Sequence, residues 1–160
     1  MKKTLLIGYG NPDRQDDGLA WHILFQLAGR IDRPVDFDTG ISFIDFQQSP
    51  DFLFSLQITP EMIDIIKDYE RVCFVDAHTG NIPEEVRLVP LRSEFQKSPF
   101  THHMTPETCL SLHENIYHRL PEAILVSVRG YEFQFSQALS TRTETLVNSA
   151  IELIWDWLFS

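Results

Sequence analysis

Cysteine is scarce in this chain of 160 residues, which contains only Cys73 and Cys109. Each sits inside an apolar stretch and not in a spaced Cys/His set. That excludes a zinc ribbon, a Cys-x-x-Cys redox motif and a disulfide framework, and the expectation is two packed thiols in a reduced, cytoplasmic protein. Long hydrophobic runs are lacking as well. No stretch reaches the roughly 18 apolar residues of a membrane span, and the opening Lys2-Lys3-Thr4-Leu5-Leu6-Ile7 stops at Gly8, too early for a secretory leader. No membrane association is expected. Positive charge is the third shortage: Lys and Arg total 13 against 23 Asp and Glu, a formal net charge of −10. This excess repels phosphate backbones and anionic headgroups at long range, so nucleic acid is not an expected partner. The acidic residues are scattered along the chain, as on solvated faces, and identify no substrate.

What is present fits one soluble domain spanning residues 1–160, with 43% hydrophobic and 22% charged residues. Lys3 to Tyr9 is a short apolar run stopped by Gly10-Asn11-Pro12, the profile of a buried strand. Ala20, Ile23, Leu24, Leu27, Ala28 and Ile31 follow at helical spacing. The segment Val35 to Pro50 is irregular and reads as an excursion, with Phe37, Phe43 and Phe46 packing it onto the domain. A strand over Phe52 to Gln57 precedes Thr59-Pro60-Glu61, a hydroxyl cap, proline and carboxylate that open a helix with Met62, Ile65, Ile66 and Tyr69 inward. Val72 to Val75 is a central strand that runs into Asp76, and Val86 to Leu91 an edge strand, where Pro83 and Pro90 are tolerated. Thr105-Pro106-Glu107 opens a second helix of this kind through Cys109, Leu112, Ile116 and Leu120. Ala123 to Val128 is a further strand, which Tyr131 to Phe135 extends in alternation. Thr141 to Glu144 has capping-box spacing before a last helix with Leu146, Val147, Ala150, Ile154, Trp157 and Leu158 inward. Strands alternating with helices predict an α/β fold in three layers, α/β/α, with a mostly parallel sheet whose carboxyl edge gathers the ligand.

Three polar clusters fall on that edge: Asp16-Asp17 after the first strand, Asp76 at the end of the central strand, and His102-His103 before a helix. Taken singly each has an ordinary structural reading. The acidic pair suits a first helical turn, where the dipole stabilises it by about 0.3–1 kcal/mol; Asp76 suits a turn, and His102 a backbone contact. Together, carboxylates and an imidazole form a mixed oxygen and nitrogen set suited to a divalent transition metal with open coordination positions. Gly8-Tyr9-Gly10 begins like a dinucleotide fingerprint, but Asp13 stands at the third glycine position and would repel a pyrophosphate, so no nucleotide cofactor is expected. No Gly-x-Ser-x-Gly elbow or His-Glu-x-x-His helix is present.

The run Gly8-Tyr9-Gly10-Asn11-Pro12-Asp13-Arg14-Gln15-Asp16-Asp17-Gly18 resembles the N-terminal signature of the nickel–iron hydrogenase maturation proteases, Gly-x-Gly-Asn followed by an acidic pair and Gly. Phe74-Val75-Asp76-Ala77, Thr101-His102-His103-Met104-Thr105-Pro106 and Gln137-Ala138-Leu139-Ser140 agree with it in order, so the resemblance covers nearly the whole chain except 35–50. It implies a twisted five-stranded sheet between helices, of the phosphorylase/hydrolase-like kind. It also implies an aspartic-type endopeptidase, without a pepsin-like dyad, that clips the C-terminal extension from the nickel-loaded precursor of a hydrogenase large subunit. The residues contacting the substrate's nickel would be Asp17, Asp76 and His102, with Asp16 and Asn11 beside them and His103 as the alternative register for His102. Some members carry Glu where Asp17 stands, which shortens the carboxylate arm here by one methylene.

Two other readings stay open at this point. A nickel-sensing maturation chaperone would recognise the loaded precursor without cutting it. Peptidyl-tRNA hydrolases also open with Gly-x-Gly-Asn-Pro after a first strand, but Asp16-Asp17-Gly18 stands where their Arg-His-Asn segment belongs, and the chain lacks a basic surface for tRNA.

Overall fold

The computed structural model describes residues 2–33, 43–45, 49–93 and 104–160. Its elements run β1 (Thr4–Tyr9), a 3-10 turn (Gln15–Gly18), α1 (Leu19–Arg30), β2 (Phe43–Asp45), β3 (Asp51–Ser55), α2 (Glu61–Ile66), β4 (Arg71–His78), β5 (Val86–Pro90), α3 (Pro106–Tyr117), β6 (Glu122–Arg129) and α4 (Thr141–Leu158). One sheet of order β2-β3-β1-β4-β6-β5 joins all strands. The inner pairs β3·β1, β1·β4 and β4·β6 are parallel, and the outer strands β2 and β5 are antiparallel to their neighbours. Five strands of five or more residues carry the sheet, and the three-residue β2 extends its edge inside the stretch read as an excursion. The excursion's aromatic residues Phe37 and Phe46 lie outside the described residues.

Strand alternation divides the core in two. Leu6, Phe52, Phe54, Cys73, Val75, Val126 and Val128 turn to α1 and α4. Leu5, Ile7, Leu53, Val72, Phe74 and Ala123 turn to α2 and α3. A strand covered on both faces needs a continuous apolar run, which is why Thr4–Tyr9 and Arg71–Val75 do not alternate. The layers are therefore α1/α4, sheet, and α2/α3. Each fully buried Leu, Ile or Phe side chain contributes about 1.5–3 kcal/mol of transfer free energy. Among the described residues no helix is long and apolar enough to cross a membrane.

Several local expectations change. Pro60 itself has helical angles, and α2 starts through backbone bonds from Met62 N–H to the Thr59 carbonyl (3.1 Å) and Ile63 N–H to the Pro60 carbonyl (3.1 Å), with no side-chain cap. Tyr69 lies beyond that helix and donates to Asp51 at 2.7 Å. Thr105 does cap α3, accepting from Thr108 N–H at 3.2 Å. His118 in the left-handed region ends α3 before Leu120, and the buried stripe falls on Cys109, Leu110 and His113 while Ile116 is exposed.

The largest departure lies between β6 and α4. Tyr131 to Phe135 does not continue a strand, because Asp16 takes the N–H groups a neighbouring strand would need. Tyr131 N–H (2.8 Å), Glu132 N–H (2.9 Å) and the Ser140 (2.6 Å) and Thr143 (2.7 Å) hydroxyls donate to Asp16 Oδ2, and Ser140 N–H donates to Oδ1 at 2.9 Å. Ser140, not Thr141, is the residue preceding α4, and its hydroxyl is committed to Asp16, so the capping box does not form. The same loop is tied down by Gln15 N–H to the Ser136 carbonyl (2.8 Å), Asp16 N–H to the Glu132 carbonyl (3.1 Å) and Gln137 to Asp13 (2.8 Å).

Asp16 is fully buried. Burial alone would raise its pKa, but the donors from Ser140, Glu132 and Thr143 outweigh that and hold it below its ordinary value of 3.8. A depressed folded pKa contributes stability that is present above the unfolded value and lost as pH falls through the folded one. Asp16→Ala strands several buried donors and should cost about 3 kcal/mol or more at neutral pH, measured by urea unfolding. The gap between native and variant should shrink as the pH is taken below about 4; a gap that stays constant into acid would contradict the assignment.

Candidate functional site

The chain passes from β1 outward to β3 on one side and then crosses to β4 on the other, so the crevice between the carboxyl ends of β1 and β4 is the switch point where such sheets bind ligands. Tyr9 ends β1 and Asp76 lies near the end of β4. A cavity of about 500 Å³ opens there, and its lining includes Tyr9, Asn11, Arg14, Asp17, Asp76 and Met104.

The turn that carries Asp17 is folded against the end of β1 by close backbone packing. Gly10 has φ +137°, and a Cβ there would stand 2.1 Å from the Asp17 carbonyl oxygen; a Cβ on Gly18 would stand 2.5 Å from Pro12 Cα. Only glycine fits both places. Asp17 Oδ2 accepts from Asn11 N–H at 2.9 Å, and Asn11 Oδ1 accepts from Asp13 N–H at 3.0 Å. The Gly-x-Gly-Asn and Asp-Asp-Gly groups are thus two halves of one device that turns the Asp17 carboxylate toward the cavity.

Asp76 accepts from the Tyr9 hydroxyl at Oδ2, 2.7 Å, while its Oδ1 is buried and meets no donor in hydrogen-bonding geometry among the described residues. Ser127 faces Asp76 in the β4·β6 register and its side chain favours the charged carboxylate without completing a bond to Oδ1. Burial pushes the Asp76 carboxyl up to about 6, against the Tyr9 and Ser127 contacts that lower it, and Glu107 and Asp17 add like charge. Tyr9, half-buried, is raised well above 10.0 by desolvation and by the neighbouring Asp76 carboxylate.

Asp17 and Asp76 therefore share one cavity, as their positions on the sheet edge predict. Asp16 does not join them: its carboxylate is consumed by the loop from Tyr131 to Thr143. His102 and His103 lie outside the described residues, although Met104 reaches the same cavity. Among the described residues, no three His, Cys, Asp or Glu side chains gather as a metal site. Cys73 and Cys109 are buried, and burial raises both thiols, Cys109 to about 12, so neither is a nucleophile. Tyr9 is the residue that sequence reading missed. Its signal is its place as the last residue of an apolar strand, opposite the end of the central one.

No family model matches the sequence, and no curated protein matches it. The structure, however, is similar to solved ones along nearly its whole length. A NiFe hydrogenase maturation protease, HycI, from Thermococcus kodakarensis KOD1 has 17% identity and a TM-score of 0.63, covering 99% of this chain and 94% of that one. The hydrogenase maturating endopeptidase HybD from E. coli has 16% identity and a TM-score of 0.65, covering 98% and 91%. A hydrogenase 2 maturation peptidase from a Thaumarchaeota archaeon has 22% identity and a TM-score of 0.62, covering 98% of both chains. This chain thus has the fold of the hydrogenase maturation proteases.

A carboxyl raised in the folded protein opposes folding when ionised, so the stability Asp76 contributes is full below its unfolded pKa and lost as pH rises through about 6. Carbon-13 titration of the Asp76 carboxyl should give a midpoint near that value. In Tyr9→Phe, which removes the donor to Oδ2, the midpoint should move upward; a downward move would show that Tyr9 does not stabilise the charged form.

Proposed function

We propose that this chain is a hydrogenase maturation endopeptidase that removes a C-terminal extension from the nickel-loaded precursor of a nickel–iron hydrogenase large subunit. The observation that carries the reading is the pairing of Asp17 and Asp76 in one cavity at the switch point, on the fold shared with solved maturation proteases. Asp17 is oriented by Asn11 and Asp76 by Tyr9, and the Asp76 Oδ1 that meets no donor among the described residues is an acceptor suited to a cation. His102 completes the donor set in this reading, and two oxygens with one imidazole nitrogen suit nickel while leaving coordination positions for the substrate's own ligands.

Nickel is here part of the substrate. Grasping it would test whether loading is complete, and the docked metal would set the scissile peptide bond beside the cavity, which replaces an encounter in solution by a fixed geometry. The reaction is hydrolysis: water adds to the scissile carbonyl, the C–N bond breaks, and the leaving amine takes a proton. The expected setting is the cytoplasm.

Intact-mass measurement on nickel-loaded and nickel-free precursor tests this. Loss of a C-terminal peptide is expected from the loaded precursor alone. Asp17→Ala, Asp76→Ala and His102→Ala should each slow processing by about two orders of magnitude or more while circular dichroism stays native. Capture of the loaded precursor with no change in mass would replace the protease reading by a chaperone, and full processing by all three variants would overturn the assigned trio.

A further inference from the structure

Asp76 borders two cavities. Together with Ala77 it also closes one end of a second hollow, of about 370 Å³, that crosses β6 toward β5 and contains His78, Asn81, Ser127 and Arg87. The strand register turns three of these residues into a row: Asp76 lies opposite Ser127, and Ser127 opposite Arg87. Their sequence neighbours Val75, Val126, Val128, Val86 and Leu88 all pack on the α1/α4 side, so the row faces the α2/α3 side. Tyr9 and Ser55, themselves register partners, continue it in the other direction. At about 4.8 Å per strand, Arg87 stands about 10 Å from Asp76, the length of about three extended peptide residues.

Arg87, like Arg129, stands outside the ion pairs that other cations of this acidic chain make among the described residues. Arg142 pairs with Glu85, Arg30 with Glu152 and Arg71 with Glu122. No ion pair between described residues includes Arg87, and its Nε is buried without an acceptor. His78 does not compete for an anion, because Nε2 meets the Glu84 carbonyl (3.0 Å) and Gly80 N–H donates to Nδ1 (3.1 Å), which fixes a neutral ring. Burial lowers the His78 pKa first, and the positive field of Arg129 and Arg87 lowers it further. The far end of the hollow is thus an electropositive point on a chain of net charge −10. A buried guanidinium N–H without an acceptor is costly, and its planar fork matches a carboxylate.

We propose that this second cavity receives the stretch of substrate polypeptide adjoining the scissile bond, and that Arg87 binds a carboxylate on that stretch, making it a specificity-determining residue. The assignment rests on the endopeptidase reading and adds to it the direction in which the peptide leaves the metal, across β6 toward β5. A row of sheet residues spanning Asp76 to Arg87 also explains why a polar Ser127 is buried between them: an apolar residue there would offer an extended peptide backbone nothing to bond.

Two measurements separate this site from the reading beneath it. In the first, the Arg87 Nε–H nuclear resonance of the native protein is followed as capped tetrapeptides are added: one with a free C-terminal carboxylate, one with a glutamate side chain and an amidated end, and one fully amidated without acid. A shift with either acidic peptide and none with the neutral one is expected, and which of the two acts identifies a terminal or a side-chain carboxylate. In the second, Arg87→Gln should lower kcat/KM for loaded precursor about ten-fold or more through KM, Arg87→Lys should recover part of it, and neutralising the matching precursor carboxylate should add nothing further in Arg87→Gln. No response from any peptide, or native KM in Arg87→Gln, would overturn the site while leaving the protease standing. A native protein that shifts with acidic peptides but never cuts the precursor would overturn the protease and leave the anion site.

Discussion

A single buried carboxylate, that of Asp16, fastens the turn after β1 to the loop before α4, segments 115 to 127 residues apart in sequence. Hydrogen bonds to it arrive from both backbone and hydroxyl donors, and they set where the loop from Tyr131 to Ser140 runs. Because Asp17 is the next residue, the direction of its carboxylate follows from the same anchor. The Asn11 contact and the tight fits at Gly10 and Gly18 then fix it from the other side. A site built on a loop gains the rigidity of the core through this arrangement, since α4 presses Val147, Ala150 and Ile154 into the sheet that carries Asp76.

Asp16, fully buried, and Asp76, half-buried, show how two carboxylates on one sheet edge acquire opposite characters. Asp16 is surrounded by donors and kept ionised; Asp76 has one strong donor and an orphaned oxygen and is drawn toward the neutral form. Burial raises both carboxyls, and the count of N–H and O–H donors decides that it is outweighed at Asp16 and not at Asp76. Unused acceptor capacity at Asp76 is what makes it available to a ligand, and saturation at Asp16 is what removes it from the chemistry.

Much of the fold was legible because burial on both sides of a parallel strand leaves uninterrupted apolar runs, such as Leu5-Leu6-Ile7 and Val72-Cys73-Phe74-Val75. Asp76 stood out as the charge that ends one of them. Asp16 was harder to place, since adjacency to Asp17 suggested a shared role, and only long-range contacts separate a residue that binds backbone from one that faces a cavity. Tyr131 to Phe135 alternates like a strand, but alternation cannot reveal that a distant carboxylate has claimed its N–H groups. Tyr9 carries only the weak signal of ending an apolar strand, and Arg87 carries no local signal. Their significance comes from register, which places them in line with Asp76 across neighbouring strands and which no single segment encodes.

The Asp16 clasp also has a meaning for the order in which the molecule is made. During synthesis the turn bearing residues 15–18 leaves the ribosome long before Ser140 and Thr143 exist, so Asp16 has neither hydroxyl partner until then. Closing a loop of this length comes late because its entropy is lost before the contacts at its ends form. The turn that carries Asp17 to the cavity is therefore clamped through Asp16 only once Ser140 and Thr143 are in place. A chain stalled short of α4 lacks both the Thr143 hydroxyl of the Asp16 clasp and the Val147, Ala150 and Ile154 side chains that pack on the sheet.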